Sequence, residues 1–481
     1  MVSNVALSEV ETEQDNYLLV DEPEAEQAVT YRGMSVSKKA WIVRITLLFT
    51  LIYLMASNII IALEINNPLI VYSTLMPIQT ISIFFLGWFF FKNLSEGKQV
   101  ISQEPISVII PIYNQKTLIK KVINAVFRSS YKNIEVIAVD DGSSDGTSNI
   151  LDYLVTKYPQ LTVIHKPNGG KRRAVSTGFY ASKGKYVVLM DSDGIVDRNA
   201  IEELMKTLQS NPDVGAVVGN GKVLNSDKNL LTKCQDAWYD YAFNIHKTTE
   251  SVFGSVLCCS GCLAAYKREA IVHFIPYWID ATVQNSDDRD LTTYTIATPW
   301  AKKELAPITN KLRESMAQYD DAEDRALTAQ TLTEWKTVYV SSATVHTEVP
   351  EKWRTYIRQQ TRWKKGYLRS NFFVSAFFWR KHPLISLIFY VELMSTFIAP
   401  LILFTIYFYT PLVLNNYILP VTYLAGQLMI GLIAGIDYKF RDPTSKNWKY
   451  KPLMNLVASF VLPWLIFPAI WTFRKNQWLT R

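Results

Sequence analysis

The chain has 481 residues, 49% hydrophobic and 19% charged, with a mean hydropathy of +0.05. That is too apolar for an ordinary soluble enzyme, where about 25% of residues are charged; it also excludes a disordered chain, a collagen-like repeat and a disulfide scaffold, four cysteines being too few. Net charge is +7, but residues 1–30 hold eight acids and no Lys or Arg, so the rest carries fifty basic residues over thirty-five acids, +15, a balance suited to anionic lipid, a nucleotide or a polyanion.

Residues 1–37 have the composition of an acidic disordered tail. Two uncharged apolar runs follow, 45–63 and 68–91, of nineteen and twenty-four residues. Each is long enough to cross about 30 Å of hydrocarbon, and together they predict a transmembrane hairpin over 38–92. A C-terminal region, 384–481, holds three more: 384–410 with Glu392 as its only charge, 411–436, and 452–473. Lys38, Lys39 and Arg44 precede the first run and Lys92 and Lys98 follow the second, so both outer flanks are expected on the cytoplasmic side. Basic residues also flank 452–473 on both sides, which a single crossing does not allow. With Pro463 and Pro468 inside it, this run is either broken or re-entrant, or the span count differs. Asn58, Gln79, Glu392 and Gln427 are expected either in helix–helix contacts or along a polar path.

Residues 93–350 form the predicted water-soluble body, and 351–383 read as basic amphipathic interface helices. Short β-branched runs at 106–112, 134–139, 161–165, 186–190 and 215–218 alternate with helical stretches such as 117–128 and 148–157. That alternation predicts a parallel α/β sheet with helices on both faces, and ligands beyond the carboxyl ends of its strands. The polar motifs fall there. The first run leads into Tyr113-Asn114, the second into Asp140-Asp141-Gly142-Ser143, the third into Asn168-Gly169-Gly170-Lys171, and the fourth into Asp191-Ser192-Asp193. A D-x-D triplet after a strand suits Mg2+ or Mn2+ holding a diphosphate, because hard carboxylates match the ion and phosphate oxygens complete its shell. Asp140 or Asp141 can accept from a base or ribose, and Lys171 can meet phosphate. Each string alone is a common turn; four in order on one sheet are far more specific. Cys258, Cys259 and Cys262 lack zinc-finger spacing and read as small packing residues, and the five histidines form no metal or triad set.

This order of loops resembles the family 2 glycosyltransferases, whose fold is GT-A, a Rossmann-like α/β architecture. Gln359-Gln360-Thr361-Arg362-Trp363 is similar to the Q-x-x-R-W signature of processive membrane-embedded polysaccharide synthases. Cys259-Ser260-Gly261-Cys262-Leu263 resembles the C-S-G-P-L of hyaluronan synthases, and Trp478-Leu479-Thr480-Arg481 their W-G-T-R ending. The resemblance implies a GT-A domain inserted between transmembrane segments and facing the cytoplasm, in an enzyme of the plasma membrane. It implies UDP-sugar donors (UDP-GlcNAc and UDP-GlcA), a nascent polysaccharide and the lipid bilayer as partners, with no nucleic acid. Tyr113, Asp140, Asp141, Lys171, Asp191, Gln360 and Trp478 would surround the sugar nucleotide, Asp191 and Asp193 the metal. Gln359, Arg362, Trp363, Glu323 and Asp324 would serve catalysis, Arg362 as a planar cation for the leaving diphosphate and Trp363 as a stacking face for a sugar.

Two acidic strings compete for the catalytic base, Ser286-Asp287-Asp288-Arg289 and Ala322-Glu323-Asp324-Arg325. Gln359 lies thirty-five residues beyond Asp324 and seventy-one beyond Asp288, and the family's tight spacing favours Asp324. Residues 275–321 are then an insertion, expected as a solvated loop or lid. The implied reaction is an inverting single displacement with Asp324 as base. Some residues depart from the hyaluronan synthase pattern: Asp-Asp-Gly-Ser in the nucleotide loop, Cys262 in place of Pro, and Glu323 in place of Asp. A chitin or poly-N-acetylglucosamine synthase, or a transferase acting on a lipid carrier, therefore stands beside hyaluronan synthesis.

Overall fold

The computed structural model describes residues 38–65, 75–272, 274–280, 287–296, 335–375 and 377–472. The acidic tail, Glu323, Asp324 and Trp478 lie outside them. Two apolar helices, α1 (Lys38–Ile65) and α2 (Leu75–Phe89), precede the sheet.

β1 (Ile106–Ile112), β2 (Ile134–Asp140), β3 (Leu161–His165) and β4 (Tyr186–Leu189) pair in parallel in the order β3-β2-β1-β4. Ile106, Val108, Ile109 and Ile110 of β1 expose no surface, as a strand covered on both faces requires. Each such side chain contributes roughly 1.5–3 kcal/mol by its burial. The crossovers are α3 (Ile119–Phe127), α4 (Thr147–Lys157) and α5 (Lys171–Ala181). α3 buries Ile119, Val122, Ile123 and Val126, the i, i+3, i+4, i+7 stripe of a helix lying on a sheet.

Beyond β4 the expectation of an all-parallel sheet fails. β5 (Ile195–Val196), β6 (Val214–Val223), β7 (Ala264–Lys267) and β8 (Lys336–Thr347) extend it in the order β4-β7-β6-β8-β5. β7 runs antiparallel to β4 and β6, and β5 antiparallel to β8. β7 has only four residues, too short for an alternation pattern to register. α6 (Ala200–Ser210) leads into β6, and the chain reaches β7 from β6 by way of α7 (Leu230–Tyr241). α7 continues through a π-helical turn, Ala242–Lys247, into Thr248–Val252.

Residues 275–296, expected within a solvated insertion, pack into the core where they are described. Trp278 and Ile296 are 0% exposed and Leu291 1%. Helix α8 (Asp287–Ile296) thus belongs to the catalytic body, and the extra chain length falls between it and β8. After β8 come α9 (Trp353–Ser375), α10 (Pro383–Phe404), α11 (Ile418–Arg441) and α12 (Lys451–Phe460).

Among the described residues, two helices are long and apolar enough to cross a membrane: Pro383–Leu412, which extends α10, and α11. The third C-terminal run is broken, Asn447–Phe460 meeting Leu462–Trp471 at 41°, beside Pro463, which cannot donate to a helical hydrogen bond. The N-terminal runs fall partly outside the described residues, and the apolar helices described there, Ala40–Tyr53 and Ile78–Phe89, are shorter. Gln79 and Gln427 make helix contacts: Gln79 donates to the Ile388 carbonyl at 3.3 Å, and Gln427 Oε1 accepts from Ser459 at 2.7 Å. Leu51, Phe84 and Trp88 share a buried cluster with Ile245, Ile388 and Ile433, so the apolar helices and the catalytic body have a common core.

Candidate active site

The strand order reverses direction between β1 and β4, and the motif loops gather at that switch point. Tyr113 is exposed at the end of β1. Asn114 after it holds φ +51, a conformation costly for a residue with a side chain. Its Oδ1 accepts from the Ser144 amide at 2.8 Å and its own amide donates to Ser143 Oγ at 3.0 Å, which ties the first loop to the second.

Asp140 and Asp141, expected at the base and ribose, are committed to shaping the loops. Asp140 accepts from the Ser143 amide at 3.0 Å, from Ser148 Oγ at 2.5 Å and pairs with His165 Nδ1 at 2.8 Å. Burial works against its charge, but these three bonds prevail and hold the carboxyl below its usual range. Asp141 takes the Lys166 ammonium at 2.5 Å and the amides of Gly169 and Gly170 at 2.9 and 2.7 Å. Gly170 sits at φ +88 as the chain turns into α5, a conformation a side chain would strain.

Lys171 opens α5, and its Nζ lies 2.5 Å from Asp191 Oδ1 and 3.3 Å from Asp288 Oδ1. The three groups come from α5, the end of β4 and α8. Gly261 lies among them: the Asp191 amide donates to its carbonyl at 2.8 Å, and a Cβ there would meet Asp288 Oδ1 at 2.6 Å and Lys171 Nζ at 2.8 Å. Asp193 accepts from Thr347 Oγ1, at the end of β8, at 3.1 Å. Among the described residues no group of three or more His, Cys, Asp or Glu is placed to hold a metal ion. Asp191 and Asp193 nevertheless fit one that brings a diphosphate, since two half-exposed hard carboxylates flank one turn at the strand end.

α8 is held from three sides. Asp290 pairs with Arg172 of α5 at 3.0 Å and with Arg369 of α9 at 2.9 Å, and accepts from Ser370 at 3.0 Å. Arg289 donates to Asn371 at 2.7 Å, and Thr292 Oγ1 accepts from the Cys259 amide at 2.8 Å. Asp288 is therefore rigidly presented to the crevice. Burial pushes the Cys259 thiol up to about 12, which leaves it an unreactive packing residue.

α9 carries Gln359, Gln360, Arg362 and Trp363, all partly exposed. Gln359, Arg362 and Trp363 share a face by their i, i+3, i+4 spacing. The Trp363 indole stacks on Trp238 of α7, 6.0 Å between centroids and 20° from parallel. Tyr239 lies within electrostatic reach of Asp193 and Asp191; burial, with those carboxylates, drives its phenol far above the usual value.

Sequence reasoning missed Trp238, Tyr239 and His165. His165 had a signal: in the parallel β2–β3 register it is the partner of Asp140. Trp238 and Tyr239 lie outside every motif, and no spacing marks them.

A mixed sheet with a D-x-D turn beyond β4 and the motif loops gathered at its switch point defines the GT-A class of sugar-nucleotide transferases. Residues 107–274 match the family described as Glycosyl transferase family 2. That match and the fold support a sugar-nucleotide glycosyltransferase, whose catalytic body packs against helices long and apolar enough to cross a membrane. It is 26% identical to the hyaluronan synthase of Streptococcus pyogenes over 388 residues, 78% of this chain and 83% of that one. It is 29% identical to the poly-beta-1,6-N-acetyl-D-glucosamine synthase of Staphylococcus epidermidis over 206 residues, 43% and 47% of the two chains. Among solved structures, the mannosyltransferase PcManGT of Pyrobaculum calidifontis, in complex with GDP-Man and Mn2+, has a similar fold. Its TM-score is 0.50 at 17% identity, covering 84% of this chain and 97% of that one.

Proposed function

We propose that the chain polymerises UDP-sugars into a β-linked polysaccharide, hyaluronan, by processive inverting transfer, and extrudes it across the plasma membrane from a cytoplasmic catalytic domain. The observation that carries this reading is the convergence of Lys171, Asp191 and Asp288 beside a helix bearing Q-x-x-R-W, on a body that shares a core with membrane helices. The similarity to hyaluronan synthase over most of both chains supports the product.

Asp288 is the base in this mechanism. It takes the proton of the acceptor hydroxyl as that oxygen attacks the anomeric carbon from the face opposite the nucleotide. Asp324 and Glu323, favoured by spacing, lie outside the described residues; Asp288 is described, its Oδ1 3.3 Å from the same Lys171 ammonium that meets Asp191. Asp191 and Asp193 would hold Mg2+ or Mn2+ against the diphosphate, the ion supplying positive charge to the leaving oxygens. Lys171 and Arg362 add fixed cations for the same charge. Tyr113 and the Asp140–Asp141 loop line the nucleoside end, with Gln360 on the donor side. Gln359 and Trp363 orient the acceptor sugar.

The test is purified full-length protein in lipid vesicles given UDP-GlcNAc, UDP-GlcA or both. The proposal expects a large product only with both donors, cleaved by hyaluronidase. A polymer from UDP-GlcNAc alone, cleaved by chitinase, would instead establish a chitin-type synthase, and one sugar on a lipid would refute polymerisation. Asp288→Asn should lower turnover at least a hundredfold; if Asp324→Asn does so and Asp288→Asn does not, the base is Asp324.

A further inference from the structure

Four consecutive side chains of α7 reach four parts of the molecule, as the 100° step between helical residues allows. Trp238 stacks on Trp363 of α9. Tyr239 lies within electrostatic reach of Asp191 and Asp193. Asp240 accepts both terminal nitrogens of Arg441 on α11, at 2.6 and 2.5 Å. Tyr241 meets Phe84 of α2 edge-on at 5.9 Å, with the Lys451 ammonium 4.5 Å from its ring centre. The start of α7 is equally fixed. A capping box joins Asn229 and Thr232, Asn229 donates to the Glu351 carbonyl at 3.0 Å, and Gln235 donates to the Pro350 carbonyl at 2.8 Å, both just before α9. The register between α7 and α9 is therefore set well away from the indoles themselves.

The two indoles lie 20° from parallel with centroids 6.0 Å apart, an offset stack in which each meets part of the other's face. Trp238 is held in turn by a cluster with Leu231, Cys234, Tyr356 and Met454. Trp363 remains partly exposed, and the face turned away from Trp238 is the one a pyranose ring can meet. We propose that Trp238 is a positioning residue for the growing end of the polysaccharide: by backing the Trp363 indole it fixes the plane on which the acceptor sugar stacks. This rests on the reading of Trp363 as the acceptor platform of a polymerising enzyme. A sugar on a fixed ring keeps its hydroxyl aligned with the base and stays bound between transfers, whereas one on a rotating ring is released sooner.

The experiment uses the full-length protein in vesicles and compares Trp238→Phe, Trp238→Leu and Trp238→Ala with Trp363→Ala. Product length, nucleotide release and donor KM are each measured. Leu retains apolar contact with the Leu231–Met454 cluster but cannot stack, and Phe retains a ring. Expected are products about fivefold shorter for Leu and Ala, near-normal length for Phe, a smaller loss of nucleotide release than of length, and donor KM within about twofold. Normal length in Trp238→Leu would overturn the proposal, since packing alone would then suffice. Loss of release in proportion to length in all three variants would also overturn it. If Trp363→Ala leaves length and release unchanged, the reading of Trp363 itself fails; if it alone is defective, only the role of Trp238 falls.

Discussion

At the scale of single residues, the nucleotide loop owes its shape to a charge arrangement that depends on pH. His165 bridges Asp140 at 2.8 Å and Asp152 at 3.0 Å, and the Asp140 bond, outweighing partial burial, raises its pKa above the ordinary imidazole value. Lys166 beside it is engaged with Asp141. Because the folded pKa of His165 is raised, its contribution is complete below about pH 6.5 and disappears as pH rises through the folded value. Asp140 has a lowered pKa, so its contribution persists above about pH 4 and is lost as pH falls further. The loop is firmest between these limits. Donor KM should rise on the alkaline side, and His165→Asn should raise KM about threefold at pH 6.5 while removing most of the alkaline rise. A KM–pH profile for the UDP-sugar from pH 6 to 9 checks this, and an unchanged profile in the variant would show that His165 does not shape the donor site. Such a role was legible only from the β2–β3 register, because thirteen residues separate His165 from Asp152 and no motif joins them.

Among elements, α7 carries the clearest conflict between burial and charge. Asp236 accepts from Asn447 at 3.0 Å and Tyr438 at 3.2 Å, yet burial still pushes its carboxyl up to about 6. The folded protein thus holds this proton where the unfolded chain, with a pKa near 3.8, has released it. Stability must fall as pH rises from about 4 to about 6 and stay lower above that. Asp236→Asn removes the dependence and should stabilise the protein by about 1–3 kcal/mol at pH 8, with little effect at pH 4. Thermal unfolding in detergent at both pH values measures it; a variant less stable at pH 8 would mean that the carboxylate is needed there in its charged form. The strands and helices of the first half were legible because β-branched runs and the α3 stripe repeat at the periods their neighbours impose. β7 and the core role of α8 were not: four residues show no period, and α8 takes its place from pairings through Asp290 to Arg172 and Arg369, over a hundred residues upstream and seventy-nine downstream.

For the whole molecule, distance along the chain does not measure distance in the fold. Residues 297–334 lie between α8 and β8 and lengthen the path from Asp288 to Gln359 without separating the helices that carry them, since Asp290 and Arg369 are 2.9 Å apart. The membrane helices are joined to the catalytic body by a ladder of buried charge. Arg44 of α1 meets Asp437 of α11 at 2.8 Å, Asp437 meets Arg441 at 2.7 Å, and Arg441 meets Asp240 of α7. Burying such groups costs several kcal/mol of desolvation, so removing one partner is expensive mainly for the charges it leaves behind. The ladder makes that cost unequal. Arg441→Met strands the Asp240 carboxylate without its bidentate partner and halves the pairing of Asp437, whereas Arg44→Met leaves Asp437 still paired with Arg441. The expected losses are about 3–5 kcal/mol for Arg441→Met and about 1–3 kcal/mol for Arg44→Met. Arg441→Met combined with Asp240→Asn should recover part of the larger loss, because the stranded charge is gone. Unfolding of the three variants in one detergent tests the order. Equal losses for the two single variants, or no recovery in the double, would mean that the ladder acts as isolated contacts rather than as one path from α1 to the helix behind Trp363.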